Sequence, residues 1–199
     1  LGTPQNYGTA LLWYQKAAEQ GHAAALNNVG TLYAEGRGVP QSYASAMQWF
    51  RRAADKGDAS GQFNLARLYA DGQGGAASPA QALKWYLAAA EQGHSGAQNR
   101  LGVMYAEGQG AARDAGKAMQ WYQRAAEQGD AAAQFNLGMV YAQGQGVARD
   151  PAKAYFWYNL AATELGGDAA KRRDEVAQKL SIAQVAEQQN KALAWQAKR

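Results

Sequence analysis

Apolar residues in this chain recur at a helical spacing. Ala10, Trp13, Tyr14 and Ala17 stand at i, i+3, i+4 and i+7, one face of a helix. Ala25, Val29, Leu32 and Tyr33 repeat that spacing a few residues later. Polar residues fill the positions between. The whole pattern then returns every 36 residues: Trp13, Trp49, Trp85, Trp121 and Trp157 mark the period without slippage. Around them the chain reads WYQKAAEQG, WFRRAADKG, WYLAAAEQG, WYQRAAEQG and WYNLAATEL. A fixed period of this length predicts stacked helix pairs, each burying its apolar face on its neighbours.

Helix boundaries follow from the residues at fixed register. Asn6, Ser42, Ser78, Asp114 and Asp150 are favoured N-caps, because a short side-chain oxygen accepts from an unpaired first-turn N–H. Pro79 and Pro151 follow two of them, where a missing N–H costs nothing. Gly21, Gly57, Gly93 and Gly129 suit a left-handed helix end. These signals predict a helix A over 7–20, 43–56, 79–92, 115–128 and 151–164. They predict a helix B over 22–35, 58–71, 94–107 and 130–143, ending at Gly36, Gly72, Gly108 and Gly144. Gly30, Ala66, Gly102 and Gly138 share one mid-helix register. Glycine there costs about 1 kcal/mol relative to alanine, so its recurrence predicts an approach too close for a Cβ. Each Trp is expected to be wedged between successive pairs, removing on the order of 150–250 Å² from water.

The period breaks after residue 162, where Leu165 replaces the expected glycine. AAKRRDEVAQKL lacks the aromatic, and Ser181 then caps a last amphipathic helix, IAQVAEQQNKALAW. We therefore expect repeats over 1–167, with five A helices and four B helices, and C-terminal capping helices over 168–199. The expected fold class is all-α: a solenoid of 36-residue helix-pair repeats with a C-terminal capping helix. Thr3 and Pro4 align with Val39 and Pro40, so the chain begins inside a unit, and it begins with Leu1 rather than Met. Further repeats upstream are the expectation. The first helix A has no earlier helix B over it, which leaves a monomer or a weak self-association through that helix.

Composition changes this picture little. The net charge is +4, and residues 168–199 hold seven basic and four acidic side chains. The repeats are thus nearly neutral, without the basic stripe of a nucleic-acid binder. No stretch approaches the 18 apolar residues of a membrane span. Without Cys, the chain has no disulfide and no thiolate chemistry.

The pattern A…WY-x-K-A-A-E-Q-G-[HD]-A-x-A-Q-x-N-L-G-x-x-Y-A-x-G-x-G-V, over about residues 1–165, resembles the Sel-one-like repeat family, relatives of tetratricopeptide repeats. The resemblance implies antiparallel helix pairs wound into a right-handed superhelix with a concave face. It implies an adaptor or scaffold in bacterial signalling or envelope-associated assemblies, with a lean to the periplasm or secretion. One cysteine-rich subgroup carries a disulfide in every repeat, and this chain departs from it.

No catalytic constellation stands out. The GxG segments follow helices rather than strands, so they read as turns and not as a dinucleotide fingerprint. His22 and His94, the only histidines, open B helices two repeats apart and cannot share a metal. Glu19, Asp55, Glu91 and Glu127 recur in every unit, which makes a dedicated acid–base pair unexpected. No catalytic residue, metal or cofactor is assigned. Asn28, Asn64 and Asn136, with Arg100 as the exception, read as amides bonding a neighbouring turn or loop.

Functional candidates are the helix A positions that vary while the frame repeats. One reads Leu12, Gln48, Lys84, Gln120 and Phe156; a second Gln15, Arg51, Leu87, Gln123 and Asn159; a third Lys16, Arg52, Ala88, Arg124 and Leu160. Helix A lines the inner curve of such solenoids. Lys16, Gln48, Arg51, Arg52, Lys84, Gln120, Gln123, Arg124, Phe156 and Asn159 are therefore candidate contacts for a protein or peptide. Arg51, Arg52 and Lys84 favour an acidic one. The alternative is cell-envelope glycan binding or regulation of a cell-wall enzyme, for which Phe156 and Trp195 are the aromatics outside the packed frame.

Overall fold

The computed structural model describes residues 6–198; Thr3 and Pro4 lie outside them. Among the described residues are eleven α-helices and no strand. The A helices are α1 (Tyr7–Glu19), α3 (Tyr43–Asp55), α5 (Pro79–Glu91), α7 (Ala115–Glu127) and α9 (Pro151–Leu165). The B helices are α2 (Ala23–Glu35), α4 (Ala59–Asp71), α6 (Ser95–Glu107) and α8 (Ala131–Gln143). The tail forms α10 (Gly167–Ala177) and α11 (Ile182–Gln196), both packed on α9. The chain divides into two compact units. Unit 1 runs to Ala97 and includes Gln109–Ala112; unit 2 holds Gln98–Gly108 and the chain from Arg113 onward.

Local chemistry sets the helix ends. The side chains of Asn6, Ser42, Ser78, Asp114 and Asp150 each accept from the N–H three residues on, at 3.0, 3.2, 3.4, 2.9 and 2.9 Å. Ser181 makes the same bond to Gln184, whose side chain answers in a capping box. The connection between pairs is fixed by one recurring bond. The N–H of Ser42, Ser78, Asp114 or Asp150 donates to the carbonyl of Tyr33, Tyr69, Tyr105 or Tyr141 at 2.8–3.0 Å. The second glycine of each GxG turn packs on the start of its own helix A. A Cβ on Gly74 (φ 82°) would stand 2.6 Å from the Tyr43 carbonyl oxygen. The turn glycines thus serve packing.

The core differs from the expected ladder of indoles. Trp85 and Trp157 are buried, Trp49 and Trp121 are half-buried, and Trp13 is 64% exposed. The deeply buried ring is the next residue along: Phe50, Tyr86, Tyr122 and Tyr158. Three of these rings lie on the mid-helix glycines, Phe50 on Gly30, Tyr122 on Gly102 and Tyr158 on Gly138. A Cβ at Gly30 or Gly138 would meet its ring at 2.6 Å, which is the close approach the sequence predicted. The physical reason for the difference is helix geometry. The Trp edge reaches sideways onto the previous pair, as Trp49 reaches Leu26, Val29 and Leu32 in unit 1. Trp13, on the first described helix, is the most exposed of the five.

A second correction concerns the recurrent asparagines. The amide of Asn64 donates to Asn27 Oδ1, and that of Asn136 to Asn99 Oδ1, both at 2.9 Å. The bond crosses to the preceding B helix rather than to a turn. Three glutamines of the B helices, Gln62, Gln98 and Gln134, are buried as well.

Candidate functional site

A varying position of helix A helps to build one niche in each unit. In each unit one niche is framed by a residue on one helix A, the Tyr of its helix B and the Trp of the next helix A. In unit 1 it is Arg51, Tyr69 and Trp85. The Arg51 guanidinium donates to the Tyr69 hydroxyl, and its carbon lies 5.6 Å from the Tyr69 ring and 5.5 Å from the Trp85 ring. Lys84 covers the same indole at 5.0 Å. Cations stacked on ring faces hold this niche shut.

In unit 2 the same register gives Gln123, Tyr141 and Trp157. Gln123 donates to Glu127 Oε1 at 2.5 Å, and Lys153 Nζ lies over the Tyr141 ring at 5.2 Å. Among the described residues no cation stacks on Trp157. An open groove of about 550 Å³ results, lined by Gln123, Tyr141, Phe156, Trp157 and, from α11, Gln188 and Trp195. Lys153, Lys191 and Lys198 complete its rim. Phe156 meets Trp157 edge-on, with centroids 4.9 Å apart at 78°. Trp195 also lines a more polar recess of about 390 Å³ with Gln128, Gln134 and Glu164.

The structure therefore sorts the candidates. It brings Gln123 and Phe156 together in the unit 2 groove, and Arg51 and Lys84 together on Trp85 in unit 1. Lys16, Arg52 and Arg124 each lie over the Trp three residues before, at 4.8, 4.3 and 4.6 Å. Gln48 and Gln120 are exposed and Asn159 is half-buried, and none of the three lines the groove. Leu160, read as part of a varying surface, is core at 2% exposure. Phe156 and Trp195, read as outside the frame, are half-buried and pack against the unit 2 core. Sequence reasoning missed Lys153, Gln188, Lys191 and Lys198. Gln188, Lys191 and Lys198 leave a faint signal, because α11 stands outside the repeat and its register against α9 is not written locally, while Lys153 lies in the first turn of α9.

Neither histidine forms part of a cluster. His94 caps α6, its Nδ1 accepting from the Ala97 N–H at 3.2 Å, and stacks on Phe63 at 4.5 Å. No group of three His, Asp or Glu side chains among the described residues is placed to hold a metal ion.

The Sel1 repeat family model matches residues 1–22, 23–58, 59–94, 95–130 and 131–164. The chain belongs to the Sel1 repeat family. It is similar to a Sel1 repeat protein of Oxalobacter formigenes, at 31% identity over 96% of this chain and 83% of that one, with a TM-score of 0.76. It is also similar to a Sel1 repeat protein of Klebsiella pneumoniae subsp. pneumoniae, at 28% identity over 84% and 83%, with a TM-score of 0.55. A protective antigen of uropathogenic Escherichia coli with an SLR fold is 28% identical over 98% of this chain, with a TM-score of 0.60. This chain spans 50% of that protein's length. No curated protein matches the chain. This Sel1 repeat chain is thus an all-α repeat protein of the solenoid class with bacterial relatives, and Sel1 repeat proteins act in general as protein-interaction scaffolds. No helix among the described residues is long and apolar enough to cross a membrane.

Proposed function

We propose that this Sel1 repeat chain is a non-catalytic interaction module that holds a peptide segment of a protein partner in the groove between α7, α8, α9 and α11. One observation carries the reading: the register that Arg51 closes in unit 1 holds the shorter Gln123 here, and a groove stays open, lined by Tyr141, Phe156, Trp195 and the edge of the largely buried Trp157. An aromatic floor with a few amides and charges at the rim is what a recognition site needs, because apolar burial supplies affinity and polar groups fix orientation. The cationic pairs of unit 1, Arg51 with Lys84 and Arg52 on Trp49, are a second surface, suited to acidic groups. Lys16, Gln48, Gln120, Arg124 and Asn159 are peripheral contacts in this reading.

A display library of random peptides selected on the protein tests the proposal. Recovered peptides are expected to bind about tenfold more weakly to Phe156→Ala, since truncating a central aromatic anchor costs on the order of 1.4 kcal/mol or more. If no recovered peptide distinguishes Phe156→Ala from the parent chain, the groove is not the binding site. A second reading, glycan binding, draws on the same four aromatic residues. It predicts that cell-wall oligosaccharides, and not peptides, lose affinity in that variant.

A further inference from the structure

We infer that the groove takes an acidic segment carrying one bulky apolar side chain, and that α11 is the element that selects it. This rests on the peptide-binding reading above and goes beyond it in naming the occupant. Lys153, Lys191 and Lys198 line the groove, and no carboxylate does. Lys153 lies 3.4 Å from Asp150 and Lys191 lies 2.6 Å from Glu187, in ion pairs whose side chains are all a third or more exposed. Exposed pairs of this kind contribute little, so an incoming carboxylate competes with them at small cost. Lys198 makes no ion pair among the described residues. The cationic rim surrounds Phe156, Trp157 and Trp195, which offer room for one large apolar group. Gln188 on α11 is only 8% exposed yet lines the same space, where an amide suits a peptide backbone. One of the three lysines, Lys191, one of these three aromatic rings, Trp195, and this amide come from α11, the helix outside the repeat, and Lys198 follows directly after it. The α11 residues make this niche chemically unlike the one framed by Arg51, Tyr69 and Trp85. The charge of the rim excludes basic segments, and the ring floor favours Leu, Phe or Trp.

The experiment uses the peptides whose binding depends on Phe156. Their sequences are expected to place Asp or Glu on either side of a Leu, Phe or Trp. Lys153→Gln/Lys191→Gln/Lys198→Gln is expected to weaken them about tenfold, the summed effect of three exposed charge contacts. Raising NaCl from about 0.05 to about 0.5 M is expected to act in the same direction. Lys191→Gln/Lys198→Gln alone should remove most of the preference for acidic over neutral peptides. An unchanged melting midpoint in both variants confirms that the fold is intact. Phe156-dependent peptides without acidic enrichment, or with affinity indifferent to the three lysines, overturn this inference and leave the groove reading standing. Failure to recover any Phe156-dependent peptide overturns both.

Discussion

Trp13 and Trp157 occupy the same register and have opposite surroundings. Trp157 is 7% exposed, sealed by Ala118, Tyr122, Ala125 and Leu137, whereas Trp13 is 64% exposed under the Lys16 ammonium. Denaturant unfolding should separate them. Trp157→Ala is expected to cost about 3–5 kcal/mol, because the cavity cannot refill. Trp13→Ala is expected to stay within about 0.5 kcal/mol. Equal costs would mean that the repeat register, and not burial, sets the contribution. The same logic applies to glycine. Gly138→Ala gains helix propensity of about 1 kcal/mol but drives a Cβ into the Tyr158 ring, an overpacking cost of about 1–3 kcal/mol. Net destabilisation is therefore expected, and a raised melting midpoint would show that the ring yields freely. The glycine was legible in the sequence because its cost recurs at one register. The unequal exposure of the tryptophans was not, because five identical letters say nothing of what packs on each ring.

Between helices, the connections are amides. Gln62 lies buried between two partners: its Nε2 donates to the Ala54 carbonyl at 3.3 Å, and its Oε1 accepts from Gln92 at 2.8 Å. In unit 2, Gln128 donates to Gln98 at 2.7 Å, and Gln134 donates to the Ala126 carbonyl at 3.3 Å. The chain carries its own control. Where the residue thirty positions on is Lys56 rather than Gln, the buried position is Leu26. Gln62→Leu therefore removes a bridge instead of merely filling space, and leaves the Ala54 carbonyl without its side-chain donor. A loss of about 1–3 kcal/mol is expected in chemical denaturation. A neutral result would show that water replaces the amide. Helix ends were readable to within a residue or two, because caps are chosen by groups three residues away. The Asn64 and Asn136 partners were misread, and the rim lysines missed, for one common reason. Their contacts join separate helices, and periodicity within a helix does not report which neighbour a side chain meets.

At the scale of the molecule, unit 2 has an alkaline weakness that its core chemistry dictates. Burial pushes the Tyr122 hydroxyl up to about 12, with the nearby Glu107 charge adding to it. Burial likewise pushes Tyr158 up to about 12, against a partial opposing pull from Arg172. Both rings lie in unit 2, and both are held neutral by the packing that places them over Gly102 and Gly138. In the unfolded chain the same hydroxyls lose their protons near pH 10. Folded tyrosine thus holds its proton more tightly than unfolded tyrosine. Its contribution to stability is complete below pH 10 and is lost as the pH climbs through about 12. Melting midpoints measured between about pH 9 and about pH 12 are expected to fall, the fall beginning near the pKa of unfolded tyrosine. Phe50 fills the equivalent register in unit 1 without an ionisable group, so phenylalanine is compatible with this packing. Tyr122→Phe/Tyr158→Phe should therefore fold and should flatten that fall. If the double variant loses stability with the same slope as the parent chain, the two phenols are not the titrating groups, and the alkaline response belongs to lysines or other tyrosines instead.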